Sequence, residues 1–171
     1  MKQGLIIIFT LCLTSAMAQG SLDKGKAQFN AGLGFSTWGV PIYVGADFGV
    51  HEDITIGGRL SYRNNSERYG GYKYSQSLTV IGVNGNYHFN RLLKLPSEWD
   101  FYAGLTLGYY VWSDVKWTGN NGQVVYGGEA SGVGADIQIG GRYYFNERFG
   151  VNLELGGGTG AGGSLGITYK L

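Results

Sequence analysis

The chain ends on Gly163-Ser164-Leu165-Gly166-Ile167-Thr168-Tyr169-Lys170-Leu171, and these nine residues decide how the rest is read. They alternate strictly. Leu165, Ile167, Tyr169 and Leu171 fall on one side, and Ser164, Gly166, Thr168 and Lys170 on the other. A period of two places those sets on opposite faces of a strand. A terminal strand leaves an open edge unless it pairs with something. The stretch is therefore expected to close an antiparallel barrel by zipping against a first strand near Gln28–Phe35.

Working back through the chain, the same alternation recurs seven more times. Strands are expected over Gln28–Phe35, Pro41–Val50, Ile54–Arg63, Ser77–Phe89, Asp100–Trp112, Ser131–Phe145 and Phe149–Gly156. His51-Glu52-Asp53 and Asn146-Glu147-Arg148 read as tight turns, Asn90–Glu98 as a longer turn containing Pro96. Asn64–Ser75 and Ser113–Ala130 read as long polar loops, Ser36–Gly39 and Gly157–Gly162 as shorter ones, and Ser21–Ala27 as an exposed lead-in. Eight strands put both termini at one end. Helical periodicity, a second domain and a repeat array are absent from the pattern.

Composition narrows the class. Of 171 residues only 15% are charged, against about 25% in ordinary soluble domains, while Gly numbers 32 and Tyr 13. The formal charge of +1, with no basic stripe, argues against nucleic acid as a partner. Lys2, the apolar run Leu5–Leu13 and Ala16-Met17-Ala18 have the order of an export signal, with cleavage expected after Ala18. The domain would then span residues 19–171. Beyond that segment nothing approaches the roughly 20 apolar residues of a spanning helix. The single Cys12 lies inside it, which leaves the mature chain without disulfide, thiol chemistry or a cysteine metal site.

Alternation alone does not say which face looks outward, since a soluble lipocalin-type barrel has the same period with its apolar side inward. Two observations choose. The polar face is crowded with glycine (Gly32, Gly34, Gly104, Gly108, Gly134, Gly140 and others), where a solvent-facing sheet would carry Lys and Glu. Glycine suits the concave interior of a narrow barrel. The apolar face gathers Tyr87, Phe89, Phe101, Tyr143, Phe145, Phe149 and Tyr169 at one end, with Phe35, Tyr62 and Tyr109 toward the other. Such girdles mark the two interfaces of a membrane. The apolar face is therefore expected to meet lipid.

On these residues the chain resembles the small eight-stranded Gram-negative outer-membrane barrels of the OmpA/OmpX type, over nearly all of its mature length. The ending resembles the C-terminal signal that the barrel-assembly machinery recognises, on Gly166, Tyr169 and Leu171; the family usually ends in Phe. The resemblance implies an all-β, up-and-down transmembrane barrel in the outer membrane, with short turns in the periplasm and long loops outside.

Few residues could carry chemistry. His51 would lie in a periplasmic turn and His88 would face the lumen near that end, neither placed for lipid chemistry on the outer surface. Asp136 and Glu154 can be read as an acid/base pair or as counter-ions of lumen arginines, and the second fits the pattern. No glycine motif joins a strand to a helix in the manner of a phosphate loop. No catalytic residue, cofactor or metal is expected. The inward charges Asp47, Arg59, Arg63, Asp136, Arg142 and Glu154, with Tyr43, Tyr102 and Tyr144 between them, are expected to plug the lumen. Turn centres at Glu52 and Glu147 make Asp47–Arg59 and Arg142–Glu154 diagonal neighbours. The loops are rich in Tyr, Trp, Ser, Asn and Gly, the composition of contact surfaces. Trp38, Tyr69, Tyr72, Tyr74 and Trp117 are expected to form an extracellular contact surface for a ligand or surface partner. The expected role is structural or recognition-based. Its rivals are a minimal small-solute channel and an outer-membrane lipid-modifying enzyme.

Overall fold

The computed structural model describes residues 20–119, 122–160 and 162–171. The expected export signal, its cleavage after Ala18 and Cys12 lie outside the described residues, as do Asn120 and Asn121 of the second aromatic loop. The strands are β1 (Ala27–Phe35), β2 (Ile42–His51), β3 (Ile54–Tyr69), β4 (Tyr72–His88), β5 (Trp99–Trp112), β6 (Val115–Gly119), β7 (Gly122–Tyr126), β8 (Gly132–Tyr144), β9 (Phe149–Gly158) and β10 (Gly162–Lys170). One helical turn, α1 (Asn90–Leu93), lies between β4 and β5.

β1 to β5 and β8 to β10 form a closed eight-stranded antiparallel barrel. Closure comes from the terminal stretch. β10 runs against β1 from Gln28↔Lys170 to Phe35↔Gly163, so neither strand keeps a free edge. The barrel is inside-out. Leu33, Ile81, Ile137 and Leu165 point outward and are more than half exposed, whereas Gln28, Thr55 and Asp100 point inward at 0% exposure. The polar side chains are the interior, and the apolar exterior matches lipid instead of water. At the end shared by the termini the outward aromatics form a packed belt. Trp99 stacks on Phe101 at 5.6 Å and meets Tyr143 at 4.8 Å, and Tyr143 packs edge-on against Phe145 at 5.5 Å.

Three stretches differ from the reading above. Asn64–Ser75 is strand on both sides of a two-residue turn. The β3–β4 ladder runs on past the barrel rim from Arg63↔Leu78 to Tyr69↔Tyr72, roughly 20 Å of further strand. Gly70 and Gly71 close it with φ of +54° and +90°, the backbone of a two-residue hairpin turn that only glycine adopts easily. Within Ser113–Ala130, β6 and β7 form a second hairpin. β6 pairs with the β4 extension through Lys73↔Thr118, Tyr74↔Trp117 and Ser75↔Lys116. The result is a four-stranded sheet, β3-β4-β6-β7, standing above the barrel mouth with β7 at its edge.

The lead-in is not exposed throughout. Gly20, Ser21 and Leu22 are buried across the barrel end, with Leu22 only 2% exposed. Lys170 Nζ donates to the Gly20 carbonyl at 3.0 Å and Ser21 Oγ to that of Glu52 at 3.5 Å. One buried leucine and the Lys170 ammonium at the end of β10 hold the segment down. Asp23, Lys24 and Lys26 remain exposed. The Asn90–Glu98 turn is α1, ended by Lys94 at φ +51°. Asn90 ties it to β5 by donating to the Trp99 carbonyl at 2.6 Å and accepting from the Phe101 N–H at 3.2 Å.

Candidate functional site

An eight-stranded barrel is about wide enough for inward side chains to meet across it. Inward positions alternate along each strand, so Asp47 on β2, Asp100 on β5 and Arg142 on β8 reach one level from different walls. Arg142, 3% exposed, donates to Asp47 Oδ2 at 2.8 Å and to Asp100 Oδ2 at 3.0 Å. Its guanidinium carbon lies 4.4 Å from the Tyr102 ring centroid. Asp47 also accepts from Asn30 at 2.9 Å and from Gln28 and Asn84, each at 3.1 Å. Asp100 lies 2.7 Å from His88 Nδ1, and His88 Nε2 lies 2.9 Å from Thr55 Oγ1. A carboxylate can only accept, so Nδ1 carries the proton in that bond.

One level toward the protruding sheet, Arg59 on β3 forms an ion pair with Glu154 on β9. Glu154 also accepts from Tyr102 Oη at 2.9 Å, and Arg59 lies over the Tyr43 ring at 4.3 Å. Tyr144 donates to Gln28 Oε1 at 2.9 Å nearer the termini. A cavity of about 20 Å³ lies beneath and one of about 120 Å³ above, and both are lined by Arg59 and Glu154.

These pairings correct the expected ones. The registers are those derived from the turn centres, Asp47↔Gly57 and Arg142↔Asn152. The expected diagonal pairs nevertheless do not form: Asp47 meets Arg142, and Arg59 meets Glu154, each pair 95 positions apart in the chain, while along the wall Arg142 meets Asp100, directly opposite it on β5. Diagonal reach assumes a flat sheet. On a concave wall of small radius side-chain tips converge on the axis, and the opposite wall is as near as the next strand. Among the described residues Arg63 and Asp136 form no ion pair. Arg63 donates to Ser36 Oγ at 3.1 Å and lies 5.3 Å from the Trp38 ring centroid, while Asp136 accepts from Tyr110 and from the Gly160 N–H at 2.7 Å. Asp100, with 0% exposure the most buried charge of the network, was absent from the expected set although it shares the inward parity of Tyr102.

The extracellular set is brought together in part. Tyr74 and Trp117, opposite each other across β4 and β6, pack edge-to-face at 5.5 Å. Tyr72 lies over Gly119, where a Cβ would come within 2.6 Å of its ring. Tyr72, Trp117, Val124 and Tyr126 line an open groove on the face of the protruding sheet that continues the lumen wall. Tyr69 faces Tyr72 beside the turn and is exposed. Trp38 stands apart, packed on Trp112 at 5.1 Å beside the barrel mouth. Of the C-terminal set, Gly166 points inward with no room for a Cβ, which would lie 2.3 Å from the Ala31 oxygen and 2.4 Å from Tyr43 Oη. Tyr169 joins the outward aromatics, and the Leu171 N–H donates to the Ala27 carbonyl at 2.9 Å.

At the membrane-free edge near the termini, Arg91 clamps Asp53 with two bonds of 2.8 and 2.5 Å and also pairs with Glu52. The hydrogen bond from Arg91 holds the Asp53 carboxyl below its ordinary range, and Arg91 is raised in turn.

No protein-family model matches the chain, and no curated protein does. Solved structures do. The attachment invasion locus protein Ail of Yersinia pestis superposes with a TM-score of 0.57 at 10% identity, covering 86% of this chain and 99% of its own. The N-terminal barrel of OprF from Pseudomonas aeruginosa gives 0.54 at 16% identity, covering 88% and 100%. Neisserial surface protein A gives 0.53 at 14% identity, covering 85% and 95%. All three are eight-stranded Gram-negative outer-membrane barrels, and at these identities the likeness is one of fold.

Proposed function

We propose that this chain is an outer-membrane barrel that works by contact at the cell surface, through the sheet standing above its mouth, with the lumen closed. The observation that carries the reading is that sheet. Its strands extend well beyond the lipid-matched band, yet they hold an aromatic groove in water, and β7 presents the unpaired edge of Gly122-Gln123-Val124-Val125-Tyr126. Large rigid rings beside adaptable polar groups are the chemistry of protein contact surfaces. One similar fold belongs to a protein named for attachment and invasion, which supports a surface role here.

The rest of the account accompanies this reading. The N-terminal segment directs export and is cleaved after Ala18, the barrel-assembly machinery reads the Gly166–Leu171 ending, and outer-membrane lipid surrounds the apolar exterior. The Arg59–Glu154 pair and Tyr102 stand between the two lumen cavities, which supports a plug over a channel. Catalysis draws no support from the histidines, since His88 is 1% exposed within the lumen and His51 is the last residue of β2, at the end near the termini. The test is capture by whole cells. Tyr72→Ala with Trp117→Ala should lower adhesion to host cells or matrix at unchanged surface amount. Adhesion equal to the parent, at equal surface amount, refutes the role of the groove.

A further inference from the structure

The upper cavity of the lumen opens toward the protruding sheet, and its charges are unevenly spent. Four charged side chains line it: Arg59, Arg63, Asp136 and Glu154. Both carboxylates are engaged. Glu154 accepts from Arg59 and Tyr102, and Asp136 from Tyr110 and the Gly160 N–H. Arg59 is committed to Glu154. Arg63 is the exception: among the described residues its side chain bonds only to Ser36 Oγ, and Asp136 faces it through space without an ion pair. Ser36 and the Trp38 ring hold it in place at the rim.

A second, independent signal lies across the cavity on β10. Ser164 is 7% exposed, lines the same space, and its hydroxyl is buried without a hydrogen-bond partner. A buried polar group left unmatched is costly, which makes such a group a pointer to a ligand or an ordered water. The cavity therefore offers an arginine fork from one wall and, from the other, a serine hydroxyl that can donate as well as accept. Glycines around it, Gly34, Gly160 and Gly163 among them, leave a volume of about 120 Å³. That is the size of a small group and not of a chain. An acceptor-only group carrying negative charge matches both donors, because a guanidinium pairs best with planar or tetrahedral oxyanions.

We propose that this cavity is a binding site for a small oxyanion, a carboxylate or phosphate taken from the extracellular side, seated between Arg63 and Ser164. The same chemistry could reach the site as a free anion or as the headgroup of a lipid leaning over the rim, and the experiment separates the two.

The test uses the full barrel folded in zwitterionic detergent micelles and titrated with inorganic phosphate at constant ionic strength. Magnetic resonance follows the Arg63 Nε–H and the backbone amides of Gly160 and Ser164. The expected result is a saturable shift confined to these groups, with half-saturation on the order of millimolar, weakened about tenfold or more by Arg63→Gln. Ser164→Val, which removes the donor and narrows the space, should weaken it too. If Arg63→Gln does not fold, Arg63→Lys and Ser164→Val carry the comparison. Shifts that grow linearly, that persist in the variants, or that centre on the exposed Arg68 and Lys73 overturn the proposal. Response only when phosphatidylglycerol is mixed into the micelles assigns the site to a lipid headgroup; response to phosphate alone assigns it to the free anion.

Discussion

Replacing Arg142 by Met removes the cation that bonds both Asp47 and Asp100 while keeping an apolar stem against Tyr102. Two hydrogen bonds to ionised groups are lost, at 2.8 and 3.0 Å, each worth about 1.5–3 kcal/mol. Both carboxylates stay behind at 4% and 0% exposure, so water does little to repair the loss. Breaking one member out of a buried pair costs about 3–5 kcal/mol, and the same range is expected here. The triple variant Arg142→Met, Asp47→Asn, Asp100→Asn carries no orphaned charge. Its amides can still bond Asn30, Asn84 and His88, and it should recover about 2 kcal/mol of the loss. The measurement is reversible urea unfolding of the refolded barrel in lipid vesicles, followed by tryptophan fluorescence. Arg59→Met should cost less, about 1–2 kcal/mol, because Arg59 and Glu154 keep 29% and 13% of their side-chain surface in reach of water. A single Arg142→Met variant within about 1 kcal/mol of the parent, or a triple variant no better than the single, would refute the cross-lumen network as a source of stability.

Further outcomes follow from the same structure. Ile137→Arg or Leu153→Arg, both outward-facing on central stretches of β8 and β9, should each cost about 2–4 kcal/mol, and a neutral result in vesicle unfolding would reverse the assignment of faces. Asp53, whose carboxyl is held low by Arg91, contributes stability that is fully present above its unfolded pKa and fades as pH falls through the lower folded one. Arg91→Gln should therefore lose stability at neutral pH and converge with the parent in acid; a gap that persists unchanged at pH 2 would contradict this. In planar bilayers the unmutated barrel should show little or no steady conductance, and a stable, ion-selective open channel would promote the channel reading over the plug.

The barrel is legible in the sequence because each spanning strand meets lipid on one face and a polar lumen on the other. Leu33 against Gly32, or Ile137 against Asp136, records that contrast at every step. Above the rim both faces meet water and the contrast fades. Asn64, Ser66 and Ser75 thus read as loop although they continue β3 and β4. β6 and β7 are hidden for the same reason, since Val124 and Val125 are adjacent and both exposed. The inward charges can be placed by parity alone, but their partners cannot: register along the wall says nothing about which tips meet across a narrow axis. Asp100 opens the expected Asp100–Trp112 strand, and its shared parity with Tyr102 is the signal that assigns it to the lumen; Leu22 shows the cost of reading a charged lead-in as wholly solvated. Trp38 separates from the other loop aromatics because its loop joins β1 to β2, and its ring packs against Trp112 instead of the protruding sheet.

The account rests most heavily on the protruding sheet lying outside the cell and the short turns lying inside. Its most direct measurement is labelling of single cysteines on intact cells with a membrane-impermeant maleimide, in a background where Cys12, the chain's sole cysteine, is replaced by Ser. Ser66→Cys on the β3 extension should label on intact cells. Glu147→Cys, in the turn between β8 and β9, should label only after the outer membrane is permeabilised. The reverse pattern, or equal labelling of both on intact cells, would contradict the proposed orientation and with it the contact surface.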